Sequence, residues 1–310
     1  MSQYVTVSVV MALFNKESAI ATTLSSIFLQ EGRYSHFDLE IILVDDASTD
    51  NSLSVAEERL KADGVKYILQ KNHHNLGPSV RLNQAVELAR GDYVFIFDAD
   101  DIAPKNIVLR LLSAVNKYDA DFVYARSKKT TCSAIEAMSL SVPENAVVRA
   151  SAQPVKFMLQ RHIVHPVVMT TKAFYLMAGG AYPDIFIQDE GLALRLALAA
   201  KRACLIESPG RYVLMDKTIK RLSSNVNQQH HDQYQVACKA LQDDRLPRRL
   251  RGEFIKKIYS SYWKSARQSG KKNVVWIYAL SRMFPIMTHA LFGSVVDQYF
   301  NVMVGVRRLG

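Results

Sequence analysis

Short runs of β-branched and aromatic residues alternate with segments of helical periodicity over the first 125 residues, and no other feature constrains the fold as strongly. The runs are VTVSVVMAL (5–13), LEIILVDD (39–46), VKYIL (65–69), DYVFIFD (92–98) and DFVYA (121–125). Between the first two, Glu17 to Gln30 places Ile20, Leu24, Ile27 and Phe28 on one helical face. Ser48, Thr49 and Asp50 offer N-caps for a helix through Leu60. Pro78 opens a helix that stops at Gly91, and Pro104 starts another. Strands that are apolar on both faces belong to a mostly parallel sheet covered by helices on both sides. Such sheets bind ligands beyond the carboxyl ends of their strands. Here those ends are Ala12–Asn15, Asp45–Asp46 and Asp98–Asp101, so polar and acidic groups gather on one rim.

The rest of the chain is less regular. Residues 126–160 read as loops and a short hairpin. A strand follows at Val167–Thr170, then a Gly179–Gly180 break and a helix from about Asp189 to Ala200. From Asn227 the pattern is helical, punctuated by Pro247 and Pro285. This predicts a sheet-bearing catalytic unit over 1–225 and a helical region over 226–310. The opening MSQYVTVSVV has no cations ahead of its apolar run, which favours a strand over a signal peptide. The three cysteines form no C-x-x-C pair, which suits a reducing compartment and argues against structural zinc.

Three carboxylates in the run Asp98–Ala99–Asp100–Asp101, at the end of an apolar strand, repel one another unless a cation sits among them. Oxygen donors of this kind suit Mg²⁺ or Mn²⁺, with water and substrate phosphate completing the shell. Around this run the chain resembles the GT-A fold, family 2 inverting glycosyltransferases of the bacterial cell-surface polysaccharide type. The resemblance lies in VSVVMALFNKE (7–17), EIILVDDASTDNS (40–52), NLGPSVRLNQAVELARGDYVFIFDADD (75–101) and GGAYPDIFIQDEGLALRLALA (179–199). It implies a Rossmann-like sheet flanked by helices, here with a C-terminal helical appendage. It also implies a nucleotide-diphosphate sugar donor, UDP-sugar favoured, and an acceptor hydroxyl on a glycan or a lipid-linked carrier.

The resemblance assigns roles residue by residue. Ala12, Phe14 and Asn15 line the nucleotide, with Phe14 where relatives stack a Tyr on the base. Asp46 faces the base edge, and Asn83 matches a donor-side position. Asp98 lies near ribose and metal, and Asp100 is the direct metal ligand. Relatives carry Arg immediately before the matching Asn, whereas here Leu82 intervenes and Arg81 lies about 100° around the helix. For Arg81 a phosphate contact and a solvated surface position both stay open. The general base is Asp189, with Glu190 as competitor and Gln188 in place of the usual Glu. His165 falls near the acceptor entrance, and Gly179–Gly180 would let backbone approach the sugar. The late His of relatives is missing. Asp216 or substrate phosphate alone could complete the metal shell, and His230–His231, read as lying on an exposed helix, is a third option.

Charge is lopsided. From Arg245 to Gly310 there are 13 Lys/Arg against 2 Asp/Glu, while the preceding 244 residues hold 26 against 27. The tail's partner is therefore anionic. Phe284, Met287, Leu291, Val295, Tyr299, Val302 and Val306 recur at helical spacing beside basic clusters, which suits an interfacial helix on anionic lipid. The tail's longest uncharged run, 14 residues, is short of the roughly 18 that span a bilayer. The expected location is cytoplasmic, peripheral on the inner face of the membrane. The competing use of the tail is packing on the catalytic unit or in a homodimer. Nucleic-acid binding lacks a motif. Dehydrogenase and P-loop readings lack their glycine fingerprints. A metal-dependent nucleotidyltransferase or a nucleotide-sugar-binding protein without transfer activity remains the alternative.

Overall fold

The computed structural model describes residues 4–161, 167–215, 225–270, 274–303 and 305–307. Its first four strands are β1 (Val5–Leu13), β2 (Phe37–Asp45), β3 (Lys66–Gln70) and β4 (Tyr93–Ile96). All four are parallel and lie side by side in the order β3-β2-β1-β4. The connections are α1 (Ile20–Phe28), α2 (Ser52–Asp63) and α3 (Pro78–Leu88). α3 starts where the sequence places it, with Pro78 in the first turn and Gly77 at φ 91° ahead of it.

The second half of the sheet is mixed. β5 (Phe122–Thr130) is followed by β6 (Val148–Ser151), β7 (Val167–Thr171) and β8 (Ala203–Leu214). β7 runs antiparallel between β4 and β5, β8 lies parallel beyond β5, and β6 caps the edge antiparallel to β8. The expected hairpin within 126–160 does not form. β5 instead continues to Thr130, followed by α5 (Ala134–Ser139), β6 and α6 (Pro154–Arg161). β8 is absent from the sequence reading because Ser208–Pro209–Gly210 looks like a turn. In the structure these residues form an irregularity within the strand, where pairing with β5 slips between Ala125 and Ser127. Gly210 is required there, since a Cβ would lie 2.4 Å from the Cβ of Ala125.

Alternate residues of each strand feed two cores. Val9, Met11, Ile41, Leu43 and Phe95 meet Leu24, Ile27 and Leu60 of α1 and α2, and Leu111 of α4 (Ile107–Tyr118). On the other face, Val10, Ile42 and Ile96 meet Leu82 of α3 and Leu196 of α8 (Gln188–Ala199). Tyr175, on α7 (Lys172–Ala178), belongs to the same cluster. That second core continues into α9 (Val226–Gln242), α10 (Arg251–Gln268) and α12 (Pro285–Asn301) through Val236, Phe254, Ile258, Val296 and Phe300. Each such side chain, fully buried, contributes about 1.5–3 kcal/mol. α11 (Val275–Met283) adds Ile277 to the cluster.

Candidate functional site

The carboxyl ends of β1 and β2 are laced together by their loops. The Asn15 side-chain oxygen accepts from the Thr49 N–H at 2.8 Å, and the Asn15 N–H donates to Ser48 Oγ at 3.0 Å. Two residues on these loops are left-handed, Asn15 at φ 50° and Ala47 at φ 64°. Ala12 is half-buried, and Phe14 beyond it is exposed on the rim. Asp46 is buried, and its carboxylate holds the loop before α3. It accepts from the N–H groups of Leu76 and Gly77 at 2.8 and 2.9 Å and from Arg81 Nε at 2.8 Å. Arg81 also donates to the His74 carbonyl. At 4% exposure it is not a solvated surface residue, which removes that alternative. The one-residue offset from the position expected in relatives turns it toward Asp46.

Asn83 makes its side-chain hydrogen bonds to α7 and the turn that follows it. Its side-chain oxygen accepts from the Ala181 N–H at 2.8 Å and the Tyr175 hydroxyl at 2.7 Å, and its amide nitrogen donates to the Ala181 carbonyl at 2.9 Å. It latches α3 to the turn after α7. The Gly179–Gly180 pair, at φ 94° and 69°, makes that latch possible. A Cβ on Gly180 would stand 2.5 Å from Asn83 Oδ1, and one on Gly179 would stand 2.4 Å from Arg195 Nη2. The glycines admit protein neighbours here.

The acidic run follows β4 and is pinned from both sides. The Thr23 hydroxyl donates to the Ala99 carbonyl at 3.2 Å, and Ile102 exchanges two backbone hydrogen bonds with Tyr212 of β8, at 3.0 and 2.8 Å. That bridge delivers the neighbouring Arg211 into the carboxylates. Arg211 pairs with Asp98 and, at 3.1 Å, with Asp101. Its other terminal nitrogen lies 4.0 Å from Asp189 Oδ2, and its Nε donates to Ser127 Oγ at 2.7 Å. Lys16, from the loop after β1, pairs with Asp100 at 2.8 Å. Asp189 opens α8, and the segment ahead of it is fixed by two buried partners. Ser79 Oγ donates to the Ile185 carbonyl at 2.5 Å, and Asp232 accepts the Ile187 N–H at 2.7 Å.

Charge crowding has consequences for protonation. Although 32% of its side-chain surface meets solvent, desolvation pushes the Asp98 carboxyl above its ordinary range. Arg211 opposes this shift, while Asp189 and Asp100 add to it. Burial alone would lower Arg211, but Asp98, Asp101 and Asp189 together raise it, so it is a permanent cation. A cavity of about 400 Å³ opens beside Asp100, walled by Ser18, Thr22, Thr131, Ser133 and Met215 among others.

Asp98 and Asp100 offer hard carboxylate oxygens of the type that suits Mg²⁺ or Mn²⁺. Among the described residues no group of three or more His, Cys, Asp or Glu could hold an ion. A cation here fits as one that takes its remaining ligands from water and substrate phosphate, the usual habit of Mg²⁺. His230 and His231 are buried in α9, not on an exposed helix, and His231 Nδ1 lies 3.1 Å from Asp232. His165, Asp216 and the side chain of Glu190 lie outside the described residues. Sequence reasoning missed Lys16 and Arg211. Ser208–Pro209–Gly210 reads as a turn and so hides the strand that carries Arg211.

Comparison with known proteins gives the family and the fold. The family described as Glycosyl transferase family 2 matches residues 8–169. Glycosyltransferase GlyG of Streptococcus pneumoniae is 32% identical over 117 residues, covering 38% of this chain and 37% of that protein. The chain thus spans about a third of that relative's length. Among solved structures, S. aureus TarS 1–349 in complex with UDP-GlcNAc superposes with a TM-score of 0.64 at 15% identity, over 96% of this chain and 91% of that one. The mannosyltransferase PcManGT from Pyrobaculum calidifontis, in complex with GDP-Man and Mn²⁺, gives 0.63 at 18% identity, over 96% and 81%.

Proposed function

This chain belongs to glycosyltransferase family 2, and from that premise we propose that it transfers a sugar from a nucleotide-diphosphate donor, UDP-linked by preference, to an acceptor hydroxyl with inversion. The observation that carries the reading is the convergence of Asp98, Asp100, Asp101 and Asp189 on one rim, joined through Arg211 and Lys16. The β1 and β2 loops, with Ala12, Phe14, Asn15 and Asp46, form the donor side. Asp189 takes the proton of the attacking hydroxyl. Arg211 lies between Asp98 and Asp189, so one cation faces both the donor end and the base. Asp98 and Asp100 would hold Mn²⁺ or Mg²⁺, which supplies Lewis-acid stabilisation of the departing diphosphate. The relatives' names point to surface glycans as the acceptor class; one is a poly(ribitol-phosphate) β-glucosyltransferase and another an abequosyltransferase.

A panel of sugar nucleotides offered with and without Mn²⁺ tests the reading. Asp100→Ala and Asp189→Asn are each expected to lower turnover by about 10³-fold or more while far-UV circular dichroism is retained. Wild-type turnover in both variants would end this mechanism.

The helical region 226–310 supplies the membrane contact in this proposal. α12 buries Thr288, Val296 and Phe300 but leaves Ile286, Met287, Leu291 and Val295 between 48% and 69% exposed. Met283, Phe284 and Trp276 extend that surface. No helix among the described residues is long and apolar enough to cross a membrane. An apolar strip beside a basic tail suits the surface of anionic lipid. Leu291→Glu is expected to reduce sedimentation with phosphatidylglycerol vesicles; unchanged sedimentation would leave a second copy of the chain as the occupant.

A further inference from the structure

The segment Gly305–Arg307 folds back onto the catalytic rim. Arg307 donates to both the side-chain oxygen and the backbone carbonyl of Asn75. Its guanidinium lies 4.9 Å from the centre of the Phe186 ring. Its own backbone is pinned in turn. The Arg307 N–H donates to Gln228 Oε1 at 2.6 Å, and the Arg307 carbonyl accepts from Gln228 Nε2 at 3.2 Å. Gln228 also donates to Asp232, the residue that holds the Ile187 N–H.

Both targets matter to the site. Asn75 directly precedes Leu76 and Gly77, whose amides are fixed by Asp46. Phe186 lies three residues before Asp189. One guanidinium therefore spans the loop on the donor side and the segment that carries the base. Arginine suits this task because its planar fork serves two acceptors while its face lies on an aromatic ring.

We propose that Arg307 is a positioning residue for transfer, tying the donor loop at Asn75 to the base-bearing segment at Phe186. It acts through these two residues and is assigned no contact with substrate. The inference rests on the reading of Asp189 as the base. It makes the helical region a working part of the catalytic centre, in addition to any docking role.

The two ties are unequal. The donor loop keeps its two amide bonds to Asp46 when Arg307 is lost, whereas the Phe186 side chain loses the cation on its face. Donor KM should hold while kcat falls. For Arg307→Ala the expected change is a drop in kcat on the order of 10-fold with donor KM moving less than about threefold, the pattern of a misplaced catalytic group. Hydrogen exchange followed by mass spectrometry gives a readout independent of activity. Amides in 72–77 and 185–189 should exchange faster in Arg307→Ala, with the sheet unchanged. Arg307→Lys keeps a cation over Phe186 but cannot fork, so protection should return at 185–189 and not at 72–77. Unchanged exchange at both segments in Arg307→Ala would overturn the proposal, as would a loss of protection spread across the whole sheet. If the wild-type chain transfers no sugar, the assignment of Asp189 fails, and the exchange data still judge the tie.

Discussion

The two halves of the rim are held by different forces. On the donor half, the ends of β1 and β2 and the loop before α3 are joined mainly by backbone amides meeting side-chain oxygens, as at Asn15, Ser48 and Asp46, with one buried ion pair, Asp46–Arg81, among them. On the acidic half, the ends of β4 and β8 and the start of α8 are joined by charge, with Arg211 gathering Asp98, Asp101 and Asp189. Hydrogen bonds to backbone fix direction and survive changes of ligand. Charge pairs can be exchanged for others of the same sign. The donor half is thus shaped in advance, while the acidic half is balanced by basic side chains where incoming cations and leaving phosphates would meet.

Breaking the charged half should cost most. Arg211→Met leaves three carboxylates facing one another in a largely buried site, and removing one partner of a buried pair costs about 3–5 kcal/mol. Urea denaturation is expected to show a loss of that size, and turnover should vanish. A loss under about 1 kcal/mol would mean that solvent already screens the cluster.

Breaking the donor half should cost less. Asp46→Asn keeps the shape but puts an NH2 group where an oxygen accepted an N–H, and leaves buried Arg81 without its carboxylate, for an expected loss of about 3 kcal/mol; it should also weaken nucleotide binding measured by calorimetry. Unchanged nucleotide affinity would show that the loop before α3 does not reach the donor.

The smallest effect sharpens the contrast. Ala47 is left-handed at φ 64°, a conformation that costs an L-residue roughly 1–2 kcal/mol and glycine little. Ala47→Gly should raise the thermal midpoint slightly, offset by the greater freedom of glycine in the unfolded chain. A lower midpoint would place the strain elsewhere.

The same division governs what could be read from residues alone. The donor half is local: each strand ends in the loop that carries its functional residues, and periodicity identifies the strands. Asp98–Asp101 stood out because carboxylates at the end of an apolar run need an explanation. Arg211 gave no such sign. It meets its partners across two neighbouring strands, from a strand whose Pro-Gly pair disguises it, and periodicity encodes the face a side chain takes but not the charge it will meet. Arg81 and Asn83 fall between these cases. Their helix was legible, but their partners, Asp46 and the Ala181 backbone, lie 35 and 98 residues away in sequence. The tail's outer apolar strip followed from spacing, whereas Tyr299 is drawn inward, where it packs on Tyr262 and meets Ser265.

The second core runs without a break from Val10 and Ile96 in the sheet to Phe254 and Phe300 in the late helices. Heating should therefore melt strands and helices together in one transition, with calorimetric and van't Hoff enthalpies in agreement. Proteolytic trimming between α9 and α10 would strip α8 and α9 of their apolar cover and yield an aggregating fragment, so assays of transfer call for the intact chain.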